Sequence, residues 1–150
     1  MRCALQVACL ACTAAGYAPP RRRVAPLYAQ PEGDWEQLGL QPTTAQAARQ
    51  LGPEFQSPTP AQLSSIPSIL EDESDALIHA RTGSGKTLAY LLPLIERIDS
   101  SRQATQACIV VPTIELGLQV AKVLRRLTKG TVMSLLDGSS LKRQRTWAWA

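Results

Sequence analysis

The sequence predicts an α/β fold, a parallel sheet flanked by helices, and three observations carry that expectation. From Trp35 onward, apolar runs of strand length alternate with stretches of helical periodicity. A glycine-rich turn, "RTGSGK", lies between one such run and the helical pattern after it. Gly and Pro mark several of the remaining boundaries, as in Gly52-Pro53 and Gly130.

Each element has its own signal. "TTAQAARQL" predicts a first helix, stopped by Gly52-Pro53. "TPAQLSSIPSIL" predicts a second, with Thr59 as N-cap, Pro60 at the first helical position and Pro67 in its interior. The acidic "EDESD" reads as a solvated loop. "ALIHA" predicts a strand and "KTLAYLLPLIERI" the helix after the turn, with Leu88, Leu91, Leu92 and Ile95 at helical spacing. "ACIVV" predicts a second strand, "IELGLQVAKVLRRLTKG" a helix stopped by Gly130, "TVMSLL" a third strand, and "SSLKRQ" the start of another helix. Right-handed crossovers would gather the loops that enter the helices on one sheet edge. Three parallel strands with few neighbours would expose apolar edges.

The chain has 150 residues, 45% hydrophobic and 19% charged, the balance of one modest globular domain. No apolar run reaches the roughly 18 residues that a spanning helix needs, so no membrane partner is expected. The sequence pI of about 9.1 suggests nucleic acid, but the whole net charge of +4 sits in residues 1–30, on Arg2, Arg21, Arg22 and Arg23. A local basic excess remains downstream, where Lys122, Arg125, Arg126, Lys129, Lys142, Arg143 and Arg145 face only Asp137. Cys3, Cys9, Cys12 and Cys108 do not form a disulfide framework, and Cys108 reads as a small buried side chain.

Residues 1–30 have the composition of a targeting presequence and are expected to be disordered. An apolar stretch from Ala4 to Ala15 is followed by a Pro- and Arg-rich, acid-free stretch. The two in series resemble the bipartite presequences of algae with secondary plastids, with Tyr17 of "AAGYAPP" in the aromatic place of the cleavage context. Import into a plastid is the expectation; mitochondrion and cytoplasm are the alternatives.

The turn from Ala80 to Thr87 follows a predicted strand and opens a helix, the context in which a phosphate loop works. Backbone N–H groups from Thr82 to Thr87 can point at phosphate oxygens, and Gly83 and Gly85, on either side of Ser84, let the main chain approach closely. Lys86 supplies a point charge and Thr87 a hydroxyl ligand for Mg²⁺. Upstream, "FQSPTPAQ" ends at Gln62. Its amide matches the N6/N7 edge of adenine, and Thr59-x-x-Gln62 equally forms a capping box. Phe55 can stack on a base or join the core. His79 reads as a strand residue beside the loop, and Glu115 as a helix-start acid.

Taken in order, these segments resemble the DEAD-box RNA helicases. Trp35 in "WEQLGL" looks like that family's upstream aromatic. Phe55 to Gln62 is similar to its "F-x-x-P-T-x-x-Q" motif, and Ala80 to Thr87 to its "A-x-T-G-S-G-K-T" loop. "PTIELGLQ", from Pro112 to Gln119, resembles "P-T-R-E-L-A-x-Q", and "LDGSSLKRQ" a double-glycine element that keeps Gly138 and Gln144. The resemblance implies a RecA-like domain over residues 31–150. It further implies ATP and Mg²⁺ as cofactors, adenine contacts from Phe55 and Gln62, phosphate contacts from Thr82, Gly83, Ser84, Gly85, Lys86 and Thr87, and RNA contacts from Pro112, Thr113 and Gly138.

Four departures stand out. Ile114 replaces an Arg, Gly117 an Ala, and Asp137 a Gly, and Gly52-Pro53-Glu54-Phe55 carries two more residues than the usual Gly-Phe. The likeness ends near Gln144, ahead of the family's Asp-Glu-Ala-Asp box and second RecA-like domain, and the tail "RTWAWA" follows no family pattern. Binding of nucleotide without ATPase turnover or duplex unwinding is therefore expected of residues 1–150, and a nucleotide-binding protein without catalysis is the alternative to a helicase. A fluorescent fusion of residues 1–30 is expected to reach the plastid; retention in the cytosol would count against the presequence.

Overall fold

The computed structural model describes residues 33–71, 75–99 and 101–136. The leader, Asp137, Gly138, Gln144, the "SSLKRQ" helix and the terminal tryptophans lie outside the described residues. Four α-helices organise the rest: α1 (Pro42–Arg49), α2 (Pro60–Glu71), α3 (Lys86–Glu96) and α4 (Ile114–Leu127). Two 3₁₀ turns, Trp35–Leu38 and Pro53–Phe55, flank α1. No helix among the described residues is long and apolar enough to cross a membrane.

The helices start and stop where local chemistry requires. Pro occupies the first position of α1, and α1 ends ahead of Gly52-Pro53. α4 is capped by Thr113, whose hydroxyl accepts from Leu116 N at 3.3 Å, and Glu115 sits in its first turn, where the dipole favours an acid. α2 packs most extensively against α3. Trp35, Ile66, Leu91 and Leu92 fill the centre, each fully buried, and Val120 and Leu127 bring α4 onto the same core.

Helix ends are also held from a distance. Glu96 of α3 accepts a hydrogen bond from Gln41 N at the start of α1, at 3.0 Å. Arg97, just after α3, donates to Ile69 O in the last turn of α2 at 2.5 Å. Arg126 of α4 donates to Gln50 O and Leu51 O, just beyond α1, at 3.1 and 2.6 Å. The signs follow the helix dipoles, with an acid at the amino end and cations at the carboxyl ends.

The three expected strands are corrected by the structure. "ALIHA", "ACIVV" and "TVMSLL" carry no strand among the described residues, and only Ile109 has bridge geometry. A strand is defined by its hydrogen-bonded ladder to a neighbour, and period-2 patterning encodes only the half-burial. That half-burial is present: Ile78, Ile109, Val111, Val132 and Leu136 turn inward in part, while Leu77, Val110 and Leu135 are 61%, 70% and 65% exposed. The expected exposure of sheet edges has no counterpart without strands; the apolar exposure lies instead on the outward faces of these segments. Cys108, expected inside, is exposed.

The "TIELGL" segment packs tightly for a local reason. A Cβ on Gly117 would lie 2.6 Å from Leu136 Cδ2 and 3.2 Å from Val111 Cγ2. Glycine at this position lets α4 approach the two extended segments more closely than alanine would.

An exposed ion cluster ties the first 3₁₀ turn to α1. Arg49 donates to both oxygens of Glu36 at 2.6 Å and also pairs with Asp34. These hydrogen bonds from Arg49 hold the Glu36 carboxyl down at about 2, below its ordinary 4.5. A lowered folded value means that the stabilisation is fully present above about pH 4.5 and is lost as pH falls toward 2. Arg49→Met is expected to flatten acid unfolding across that window, and high salt to mimic the substitution in part, measured by circular dichroism.

Candidate functional site

The site is built where the start of α2 meets the start of α3. Thr59 and Gln62 form the capping box: the Gln62 amide oxygen accepts from Thr59 N at 2.7 Å, and Gln62 N donates to the Thr59 hydroxyl at 3.4 Å. Both side chains then reach across to the glycine-rich turn. The Thr59 hydroxyl donates to Ser84 O at 2.8 Å and Gln62 Nε2 to Gly85 O at 3.0 Å. Gln62 is only 1% exposed, so two polar bonds to its amide are formed inside the protein, where leaving them unmade would be costly.

These contacts fix the shape of the loop. Gly83 and Gly85 have φ of 79° and 83°, the left-handed region that favours glycine. A Cβ on Gly85 would lie 2.4 Å from Gln62 Nε2, so the close approach of α2 also requires glycine there. The same test at Gly83 meets nothing within 4 Å, and that side of the loop is open. Thr82 and Gly83 form the exposed crest, and Ser84, Gly85, Lys86 and Thr87 are half-buried.

Two features of the loop suit a phosphate. α3 opens on Gly85 with no side-chain cap, leaving the first-turn N–H groups of Lys86 and Thr87 without an intrahelical partner. The Ser84 hydroxyl is buried without a hydrogen-bond partner among the described residues, the kind of orphan that a ligand oxygen satisfies. Lys86 folds back, its ammonium donating to Ala80 O and Arg81 O at 2.6 Å each. Among the described residues no group of three or more His, Cys, Asp or Glu side chains could hold a metal. The Thr87 hydroxyl is one oxygen donor, and a Mg²⁺ ion there would need phosphate oxygens or water for the rest of its shell.

Phe55 is half-buried in the second 3₁₀ turn, with its ring against the core. The two additional residues, Pro53 and Glu54, are taken up as that turn, closed by Phe55 N donating to Gly52 O at 3.1 Å. The indole of fully buried Trp35 donates to Phe55 O at 3.0 Å. This contact between residues 20 apart was not legible in the sequence, although Trp35 itself was singled out. Pro112 and Thr113 lie exposed at the start of α4, away from the α2–α3 junction in the chain, with Ile114 43% exposed beside them.

Gln62→Leu would leave Thr59 N unpaired, at about 1–3 kcal/mol, and would remove one of the bonds to Gly85 O, a carbonyl that keeps Leu88 N and Ala89 N as donors. A fall in Tm of several degrees is expected, with nucleotide affinity lost in step; an unchanged Tm would show that the bridge contributes nothing.

Comparison with known proteins follows the same segments. The DEAD/DEAH box helicase family model matches residues 59–148. "DEAD-box ATP-dependent RNA helicase 58, chloroplastic" of Oryza sativa subsp. japonica is 50% identical over 107 residues, covering 70% of this chain and 24% of that protein. The protein of the same name from Arabidopsis thaliana is 48% identical over 101 residues, covering 62% and 21%. Among solved structures, a DEAD box protein from Methanococcus jannaschii superposes with a TM-score of 0.67 at 31% identity, over 79% of this chain and 32% of that one. The RNA helicase Prp28 from Chaetomium thermophilum bound to ADP gives 0.64 at 35% identity, over 75% and 28%. The chain thus spans about a quarter of those curated relatives. The match of family model, motifs and backbone identifies it as part of the RecA-like domain of the DEAD-box ATP-dependent RNA helicase family, to which this chain belongs.

Proposed function

We propose that the chain forms the ATP-binding portion of a helicase that separates RNA strands in a plastid. The observation that carries this reading is the bridge from Thr59 and Gln62 to Ser84 and Gly85, which joins a base-reading segment to a phosphate loop. Residues 1–30 would act as presequence and residues 31–150 as the partial RecA-like domain. The chloroplastic relatives and the acid-free leader support the location.

Each residue has a defined task in this reading. Lys86 exchanges its two carbonyl partners for phosphate oxygens, and the backbone from Thr82 to Thr87 orients the same oxygens. The Ser84 and Thr87 hydroxyls complete the polar lining, Thr87 toward Mg²⁺. Gln62 retains one amide hydrogen and one lone pair beyond its bonds to Gly85 and Thr59, the pair that an adenine edge requires. Phe55 offers its outer face for stacking. That the solved Prp28 relative is bound to ADP supports a nucleotide as the ligand of this chain. ATP bound with Mg²⁺ supplies the free energy that the whole protein would spend on RNA. Thr113 and the α4 amino end contribute backbone donors to the RNA sugar-phosphate chain, with Pro112 and Gly138 beside it as the further RNA contacts of this reading. Ile114 removes a cation from that contact and lowers its salt dependence.

Titration of the full chain with a fluorescent ATP analogue tests the reading. Tight binding that ATP displaces better than GTP is expected, and Lys86→Ala should weaken it by at least about tenfold. Equal displacement by both nucleotides would overturn the adenine assignment, and no effect of Lys86→Ala the phosphate assignment.

A further inference from the structure

We infer that Arg126 is a positioning residue for adenine recognition, acting through the turn that carries Phe55. The inference rests on the reading of Phe55 as the base-stacking ring.

By charge alone Arg126 belongs to the basic excess that would suit RNA. Its observed partners are different. One nitrogen, Nη2, donates to both Gln50 O and Leu51 O, which are 76 and 75 residues away in the chain. Those carbonyls follow the last turn of α1 and immediately precede Gly52, the entry to the Pro53–Phe55 turn.

The segment is organised through its carbonyl oxygens. The Gln56 amide donates to Arg49 O and Gly52 O at 3.2 Å each, Phe55 N closes on Gly52 O, and Trp35 holds Phe55 O. Gln56 and Phe55 N are local groups, and they move with the turn. Trp35 and Arg126 alone among these donors belong to elements outside it, so they set where the turn sits relative to the core. Trp35 holds its far end and Arg126 its near end. Without Arg126, the near end of the Pro53-Glu54 turn would be held only by buried Leu51 and the Gln56 bond to Arg49 O, with Gly52, the least restrained residue type, between them and the turn.

α4 is 14 residues long, about 20 Å of rigid helix, with Arg126 in its last turn and Thr113 as its N-cap. The helix that presents the proposed RNA contact is therefore the one that fixes the stacking ring. Arg126→Met removes the donors and keeps the aliphatic stem, whereas Arg126→Lys keeps a cation on a shorter reach without the planar fork.

Three probes separate positioning from general stability: MgATP, MgGTP and inorganic tripolyphosphate, each titrated against the full chain. Arg126→Met is expected to weaken ATP about three- to tenfold, a fraction of the full loss of a stacked base. Tripolyphosphate affinity should stay within about twofold, because the phosphate loop is untouched, and Arg126→Lys should recover part of the ATP affinity. Phe55→Ala should show the same pattern, and the double substitution no further loss. Equal weakening of ATP and tripolyphosphate, unchanged ATP affinity, or additive losses would each overturn the inference. A wild-type chain that binds ATP no better than tripolyphosphate would instead overturn the adenine reading itself, and Arg126's role with it.

Discussion

The buried amide of Gln62 is the constraint on which the junction of α2, the glycine-rich turn and α3 depends. It closes the first turn of α2 on Thr59 and, through its other atom, holds Gly85 at the point where α3 begins. A side chain with one acceptor and two donors can do both at once; leucine of similar size could do neither. Because the amide is 1% exposed, each bond is formed at low local dielectric, where its loss costs more than at the surface. The capping-box and adenine readings therefore need not compete. The cap uses one lone pair of the amide oxygen and the loop one amide hydrogen, half of the amide's capacity between them, and the geometry of the loop follows from both.

The contrast among helix starts is informative. α4 is closed by Thr113, the amino end of α1 meets Glu96, and α2 is closed by Thr59 and Gln62. α3 opens on glycine with no side-chain cap, beside the Ser84 hydroxyl, which has no hydrogen-bond partner among the described residues. A helix dipole left open toward a glycine loop attracts an anion, while the others have been neutralised by the protein itself. Charge at the far ends follows the same economy. Arg97 and Arg126 hold α2 and the segment after α1, and Arg125 donates to Val132 O and Ser134 Oγ at 3.3 and 3.0 Å. Part of the basic excess near α4 thus serves internal carbonyls.

Apolar exposure is concentrated on the outward faces of the extended segments and on α4, where Ile114 and Leu118 stand one turn apart. The same segments are drawn tightly to α4 on their inner side, as the contact of Gly117 with Leu136 requires. Two of the departures from the family pattern therefore have physical correlates. Gly117 allows close packing, and the Gly52–Phe55 insertion becomes a 3₁₀ turn held at both ends. Ile114, 43% exposed, has no structural explanation among the described residues.

All four helices could be placed from the sequence because their signals are local: Pro at the first position, Thr at the cap, and leucines at 3.6-residue spacing; α1 and α4 end at Arg49 and Leu127, short of the glycines expected to stop them. The glycine turn before α3 was equally legible as a turn, but the bonds from Thr59 and Gln62 that fix its shape come from 25 and 23 residues away and were not. Pairing of the extended segments was not, because alternation encodes which side is buried and leaves the ladder to neighbours. Nor could the sequence distinguish Arg126, which serves carbonyls 75 and 76 residues away, from the lysines beside it. Charge and periodicity belong to a residue alone; the partner that gives the charge its function is chosen by the packing of α4 against α1, which only the tertiary structure decides.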